Sequence, residues 1–493
     1  MKLSRPFLVL ASLAYCACAS FKEDLEAIGA TAVFPGDSDY GVDSASFNRR
    51  YTFQPAAIVY PTTPGQISRI VEVGVKYKYS VVSRSGGHSY IANGVGGKNG
   101  ALVIDMGKRT NINIDSSSGL AILESGNRLG DIALALAAQG RALPHGLCPY
   151  VGIGGHASFG GWGFTSRMWG LTLDNIRSMD IVLANSSINV LTNTSHQDLF
   201  WAMRGAGPSF GITTAITVQT FPLPPQATIY SYIWSMSGTA AAQAISSFQK
   251  FAQTDIPPEY MARFDIVKGQ EAGKMRFILI GAWFGPPDRL SGILAPYMAT
   301  VPKPDSIVLK NGTYIEALTA ISNIGRLSTT GIPDKKDTFY TKSLVTPQSS
   351  PISDIALTAF MNYLANEGYS IDLFWFVQLD LFGGKNSVSA GEPLGVTSFG
   401  RRDVLWLIQM GSASSNHKPP YPHYGYPFLD NMVASVLKNS PPDWDYGAYP
   451  NYADDRLTNW QHLYYGTQYP LLQRLKRIYD PENTFSFQQS VEL

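Results

Sequence analysis

Gly146-Leu147-Cys148-Pro149-Tyr150-Val151-Gly152-Ile153-Gly154-Gly155-His156, followed closely by Gly160-Gly161-Trp162-Gly163, sets seven glycines around one cysteine. Glycines at this density let backbone N–H groups come close to an anionic group that side chains would hold off. Within the stretch, Gly152-x-Gly154-x-x-Ala157 formally passes for a dinucleotide fingerprint, and Asp174 stands about where a ribose-binding acid would. The context excludes that reading: Cys148-Pro149-Tyr150 is not a strand, and the glycines that follow are not expected to make a helix. His145, Cys148 and His156 are a conceivable metal set. Their spacing matches no closed zinc pattern and a fourth ligand is not evident, so no metal is expected.

A second glycine loop lies upstream. Arg84-Ser85-Gly86-Gly87-His88-Ser89-Tyr90 follows a β-like run from Ser80 to Arg84. It can form an anion nest, although a simple tight turn fits this heptad equally well.

Cysteine usage sharpens the picture. The chain has three cysteines, Cys16, Cys18 and Cys148. Lys2 and Arg5, the apolar run Pro6 to Tyr15, and Ala17-Cys18-Ala19 read as a secretory leader covering residues 1–19. Cleavage would remove two cysteines and leave Cys148 alone, with no internal disulfide possible. A lone thiol in an oxidising compartment is a liability unless it is buried or used. The sequons at Asn185, Asn193 and Asn311 fit a secreted glycoprotein. The expected mature protein is extracellular, with no membrane span.

Composition sets broad bounds. A chain of 493 residues with 45% hydrophobic and 15% charged residues is long enough for two packed domains. The formal net charge of +1 offers no basic field for nucleic acid. The 26 Tyr and 9 Trp suit a core and a sugar-binding cleft alike.

Periodicity predicts a helix over Ile67–Lys76, strands over Ala101–Met106 and Leu120–Glu124, and a helix over Leu129–Ala138 stopped by Gly140. Two strands flank Asn185-Ser186-Ser187, a helix covers Asp198–Arg204, and a strand covers Gly211–Thr220. Pro222-Leu223-Pro224-Pro225 marks a break. Beyond it, β-like runs (Ile229–Trp234, Phe277–Phe284, Leu373–Leu381, Val404–Met410) alternate with helical ones (Ala240–Ala252, Ile352–Leu364), and Leu471–Tyr479 closes the chain as a helix.

His88 and Cys148 in their two glycine loops, with Asn451-Tyr452-Ala453-Asp454 and Tyr464-Tyr465-Gly466 near the C-terminus, resemble the berberine-bridge-enzyme-like branch of the vanillyl-alcohol-oxidase flavoproteins. The resemblance implies an α+β fold: a two-part FAD-binding domain of the vanillyl-alcohol-oxidase (PCMH) type, plus a substrate domain with an antiparallel sheet backed by helices. It implies an FAD-binding part over 20–224, a substrate-binding domain over 225–435, and a segment over 436–493 that returns to the FAD-binding domain. It also implies FAD bound covalently through His88 and Cys148. Cofactor contacts would come from Arg84, Ser85, Gly86, Gly87, Ser89, Val151, Gly152, Gly154, Gly155, Gly163 and Ile212. A histidine and a thiolate are two nucleophiles able to attack an electrophilic flavin.

The same resemblance assigns the reacting end. Tyr452 would be the base and Asp380, at the end of Leu373 to Asp380, its helper. A tyrosine with a pKa of about 10 needs such a partner near neutrality. Strand alternation sets Phe376, Gln378 and Asp380 on one face. Tyr90, Asp265, Phe376, Gln378 and Gln409 are the implied substrate contacts. A cap on the Gly383-Gly384 turn is the structural alternative for Asp380. Phe376, and Ile324 beside Gly325, replace aromatic residues of the related oligosaccharide oxidases, which trims the stacking surface. The expected activity is a monomeric, secreted oxidase that turns the reducing-end C1 hydroxyl of a saccharide into a lactone and reduces O2 to H2O2. Oxidation of alcohols, alkaloids or other secondary metabolites, and a weakly active carbohydrate-binding flavoprotein, are the competing readings.

Overall fold

The computed structural model describes residues 20–322 and 324–493. The leader assigned to residues 1–19 lies outside the described residues.

The first sheet combines β1 (Thr31–Val33), β2 (Ala57–Tyr60), β3 (Val81–Arg84) and β4 (Leu102–Asp105) in the order β1-β2-β4-β3. Its β2, β4 and β3 run parallel. Parallel neighbours need a crossover, and α1 (Pro64–Lys76) provides it between β2 and β3. Thr63 caps α1 by accepting from the Gln66 N–H, Pro64 opens it, and Ile67, Ile70 and Val71 are buried on its inner face. The second sheet is antiparallel and holds β5 (Ile112–Asp115), β6 (Leu120–Glu124), β7 (Ile176–Val182), β8 (Ile188–Thr192) and β9 (Ile212–Gln219), in the order β5-β6-β9-β7-β8. Helix α2 (Leu129–Ala137) buries Leu129, Ile132 and Leu136.

The third sheet begins just past Pro222-Leu223-Pro224-Pro225. Its strands are β10 (Ala227–Ser237), β11 (Tyr260–Lys268), β12 (Lys274–Trp283), β13 (Ser306–Gly312), β14 (Phe339–Thr346), β15 (Phe374–Leu381) and β16 (Trp406–Ala413). All neighbours in the order β13-β10-β12-β11-β15-β16-β14 are antiparallel. Helices spanning Gly238–Ala252 and Asp354–Ser370 pack against each other and cover one face of it. Gln378, Asp380 and Gln409 of this sheet line a cavity together with Val82 to Arg84 of β3. The fold is therefore α+β with two domains, as expected. Among the described residues no helix is long and apolar enough to cross a membrane.

Two predicted features differ. The glycines after Gly152 do form a helix, Ile153–Ser158, capped by Gly152. It survives because it is buried, with Ile153, Ala157 and Ser158 packed inside; tertiary contacts outweigh the cost of glycine in a helix. Strands β11 and β14 carry Arg263, Asp265, Lys342 and Ser343 on a sheet interior, so their apolar alternation is masked and periodicity alone does not mark them.

The C-terminal helix Tyr469–Tyr479 docks through a fully buried cation. Lys476 Nζ donates to the Ser209 carbonyl at 2.7 Å, to Asp480 Oδ2 at 2.6 Å and to the Phe485 carbonyl at 3.0 Å. Asp480 also accepts from the Thr484 and Phe485 N–H groups. Removing one partner of a buried pair strands the other charge, at a cost of about 3–5 kcal/mol. Lys476→Met should lower unfolding free energy by that order in chemical denaturation. A change within ~0.5 kcal/mol, the range of ordinary surface substitutions, would show that the pair does not anchor the helix.

Candidate active site

Two loops meet backbone to backbone. A Cβ built on Gly86 would lie 2.4 Å from the Gly152 nitrogen, and one on Gly152 would lie 2.0 Å from the Gly86 nitrogen. No side chain fits at either position. Gly87 adds a positive φ of 76°, which lets the chain reverse just before His88. Ser85 Oγ closes the junction by donating to the Ser125 carbonyl and accepting from the Gly154 N–H at 3.3 Å. Arg84 lines the cavity, but its guanidinium is spent on Asp105 and the Asp43 carbonyl, so it acts as a strut for the loop.

This junction sets His88 beside Cys148, close enough for the two to interact electrostatically, and both line the same cavity. The His88 ring stacks on Phe47 with centroids 3.9 Å apart, and its Nε2 lies 2.6 Å from Asp334 Oδ2. Burial alone would lower its pKa; the Asp334 hydrogen bond and the Cys148 contact outweigh that and raise it to about 9. His145 Nδ1 lies 2.8 Å from the Gly146 carbonyl oxygen, and His156 Nε2 accepts from the Gly146 N–H. Burial lowers the His156 pKa to about 3, so this ring is a neutral acceptor that shapes the Cys148 loop.

At the far end, register brings the polar residues together. Asp380 faces Arg263 across β15 and β11, Asp265 faces Gln378, and Gln378 faces Gln409 across β15 and β16. Asp380 is 1% exposed and its Oδ1 has no hydrogen-bond partner among the described residues; the Gly383 and Gly384 N–H groups donate instead to the Leu405 carbonyl and Gln348 Oε1, so Asp380 does not cap that turn. Burial raises its pKa to about 8 despite the opposing pull of Arg263, with Asp265 adding to the rise. Arg263 is held by Asp265, through Nη2 to Oδ2 at 3.0 Å and Nε 2.8 Å from Oδ1.

Tyr452 arrives from the C-terminal segment. It ends the 3₁₀ turn Pro450–Tyr452, and Asn451 Nδ2 donates to the His156 carbonyl at 3.2 Å and to Tyr449 Oη at 3.0 Å. Its ring runs parallel to that of Tyr90, centroids 6.0 Å apart, and meets Tyr449 edge-on at 5.0 Å. Burial, then the neighbouring Asp380, hold its phenol well above the usual tyrosine pKa. Gln409 Nε2 donates to Tyr90 Oη at 3.0 Å, and burial pushes that phenol up to about 12.

One cavity of about 1840 Å³, including its open mouth, joins the two ends. Arg84 to Tyr90, Cys148, Val151, Gly152, Gly154 and Gly155 line one part; Gln378, Asp380, Gln409 and Tyr452 line the other. Four expected residues do not line it. Gly163 packs on the His145 carbonyl, Ile212 is buried in a sheet while Gly211 and Thr213 face the cavity, and Asp265 stands behind Arg263. Phe376 lies over Gly411, where a Cβ would meet its ring at 2.5 Å. Arg263, Tyr449, Phe47 and Asp334 went unread in the sequence. Arg263 was findable, two residues from Asp265 on the same strand face. Asp334 sits in Asp334-Lys335-Lys336-Asp337, which reads as a solvated charge run.

The cavity suits FAD. Trp162 Nε1 and Ser125 Oγ line it, buried and without protein partners among the described residues, so a bound polar group would satisfy them. The glycine junction offers backbone N–H groups, and His88 with Cys148 offers two nucleophiles side by side.

Comparison with known proteins agrees. A family model described as FAD binding domain matches residues 55–192, and one described as berberine and berberine like matches 448–492. The carbohydrate oxidase of Microdochium nivale is 34% identical over 476 residues, covering 95% of this chain and 94% of the relative. The solved xylooligosaccharide oxidase from Myceliophthora thermophila C1 in complex with xylobiose superposes with a TM-score of 0.89 at 31% identity, over 96% of this chain and 99% of that one. The glucooligosaccharide oxidase from Acremonium strictum, with its 6-S-cysteinyl, 8α-N1-histidyl FAD, superposes with a TM-score of 0.89 at 33% identity, over 96% and 99%. This chain is a member of the berberine-bridge-enzyme-like family, an FAD-dependent oxidoreductase.

Proposed function

We propose that the protein is a secreted carbohydrate oxidase. It holds FAD through His88 and Cys148, oxidises the reducing-end C1 hydroxyl of a saccharide to a lactone, and returns the electrons to O2 as H2O2. The observation that carries this reading is the convergence of Asp380, Arg263, Gln378, Gln409 and Tyr452 on the cavity that also contains His88 and Cys148. Held by the two glycine loops with His88 and Cys148, FAD would supply the hydride acceptor and the two-electron route to dioxygen.

The protein's part is positioning and proton transfer. Gln378 and Gln409 offer paired amides to sugar hydroxyls, and Tyr90 fixes Gln409. Tyr452 takes the C1 hydroxyl proton. Its own phenol proton passes to Asp380 at the same time, so the pair, whose single negative charge Arg263 steadies beforehand, ends neutral. Phe376 replaces a larger ring and turns down onto Gly411, so stacking at that subsite is modest and hydrogen bonding carries more of the binding. The exposed Asn185, Asn193 and Asn311 stay available for glycans.

The covalent assignment is tested by acid precipitation. The denatured protein should stay yellow, and His88→Ala should remain tethered through Cys148 alone. Release of all flavin from the wild type would refute it.

The proton path is tested by stopped-flow flavin reduction. Tyr452→Phe should slow reduction by ~10²–10⁴-fold with FAD still bound. Because Asp380 is raised to about 8, the pair is fully protonated at lower pH; reduction should quicken as pH rises through that value and level off above it. Asp380→Asn should slow reduction and displace that limb. Near-normal rates in both variants would exclude the assignment.

Val151 lies on the cavity wall, its carbonyl fixed by the Leu129 N–H at 2.9 Å. An added methylene there should fill the space dioxygen needs. Val151→Leu should reoxidise far more slowly than wild type in air-saturated buffer while substrate reduction barely changes. Equal reoxidation rates would remove Val151 as the gate.

A further inference from the structure

His88 is held more firmly than a simple point of attachment requires. Its side chain is 8% exposed, its face lies flat on Phe47, and its Nε2 is 2.6 Å from a carboxylate oxygen of Asp334. An imidazole has two nitrogens, and the hydrogen bond made by one decides which state the other is in. With Nε2–H donated to Asp334, Nδ1 is the nitrogen that carries the lone pair once the ring has lost its second proton.

The clamp is one built unit. Asp334 comes from the segment leading into β14, and Phe47 comes from the N-terminal part of the chain. Backbone pairing locks the two together: the Arg49 N–H donates to the Asp337 carbonyl at 2.7 Å and the Asp337 N–H to the Phe47 carbonyl at 3.1 Å. Asn48 completes the lock, giving Nδ2 hydrogen bonds to the Tyr90 and Phe339 carbonyls at 2.8 and 2.9 Å. The Asp334 segment is pinned further by Lys336 Nζ on the Ala45 carbonyl and by Tyr150 Oη on the Ile332 carbonyl. A carboxylate from the substrate domain is thereby brought to a histidine of the FAD-binding domain.

We propose that Asp334 is the positioning residue for covalent flavin attachment: it orients His88 so that Nδ1 faces the flavin methyl group, and it takes the Nε2 proton as the bond forms. This rests on the reading that His88 carries the flavin. In the step, the Nδ1–C bond forms while one C–H bond of the 8α-methyl and the Nε2–H bond break. The Nε2 proton passes to Asp334 and the methyl proton to solvent. The two electrons released pass through the flavin ring to dioxygen, which leaves as hydrogen peroxide with two protons. Positive charge develops on the imidazole as Nδ1 is alkylated, and Asp334 already favours that charge, as the raised pKa of the ring shows. Cys148 needs no such help from Asp334 for its own bond, so the two attachments should separate.

The test is peptide mapping by mass spectrometry of folded, gel-filtered wild type, Asp334→Asn and Asp334→Glu, scoring flavin on the His88 peptide and on the Cys148 peptide separately. Carboxylates that orient a histidine ring are typically worth roughly 10–100-fold. Asp334→Asn should therefore form the His88 bond 10- to 100-fold more slowly by that same measure, with flavin still attached at Cys148. Asp334→Glu, which keeps the carboxylate, should restore most of it. A wild type with no flavin on His88 would defeat the covalent reading itself. A wild type linked at both residues, with Asp334→Asn linked at the same rate, would defeat the role of Asp334 alone. So would an Asp334→Glu variant as slow as Asp334→Asn, or an Asp334→Asn variant that yields no folded protein, since either result would make the residue a structural support.

Discussion

The contact between Gly86 and Gly152 is the constraint on which the site depends. Two backbones touch where a Cβ from either would fall 2.0–2.4 Å from a nitrogen of the other. That approach carries the loop with His88 and the loop with Cys148 to the same place, although they are far apart in the chain. Any side chain at the junction would push the loops apart and separate the two nucleophiles. The helix Ile153–Ser158 starts immediately beyond the contact, so even glycine-rich chain is ordered there by burial.

The opposite end of the cavity is built by sheet register rather than by loops. Antiparallel pairing sets Arg263 opposite Asp380, and Gln378 between Asp265 and Gln409. A buried carboxylate without a hydrogen-bond partner is costly. Burial raises Asp380 to about 8, and Arg263, itself held by Asp265, offsets part of that cost; such a perturbed carboxyl in a cavity is what the proposed proton transfer would use. Tyr452 is delivered from a third region, by a C-terminal segment whose placement rests on buried polar contacts such as those of Lys476.

Joining these parts requires the two domains to hold a fixed relation. Arg167, fully buried, donates to the carbonyls of Gly383, Pro257 and Tyr260 and staples the FAD-binding part to the substrate sheet. On the other side, Phe47 to Arg49 pair with Asp337 and Phe339. Both links rely largely on backbone carbonyls as acceptors, with the Asn48 amide pairing both ways with Phe339 in the second. The same pairing that joins the domains brings Asp334 to His88.

What the chain's residues determined locally was readable without a structure. The α+β architecture, many of the strands and several of the longer helices, both glycine loops, and His88, Cys148, Tyr452 and Asp380 follow from motif, periodicity and resemblance, because each signal lies within a few neighbouring residues. The carboxylate face of β15 was legible for the same reason: alternation is a local property. What only the tertiary structure decided is the set of long-range meetings. Asp334 stands 246 positions from His88, and the charged residues around it carry no local signal of that meeting. Arg84 looked like a cofactor contact until Asp105 was seen to occupy it. Gly163 and Ile212 turned out to serve packing. A one-dimensional pattern records which groups a segment offers, but which partner each one meets is set by the packing of whole sheets and loops, and that exists only once the chain has closed on itself.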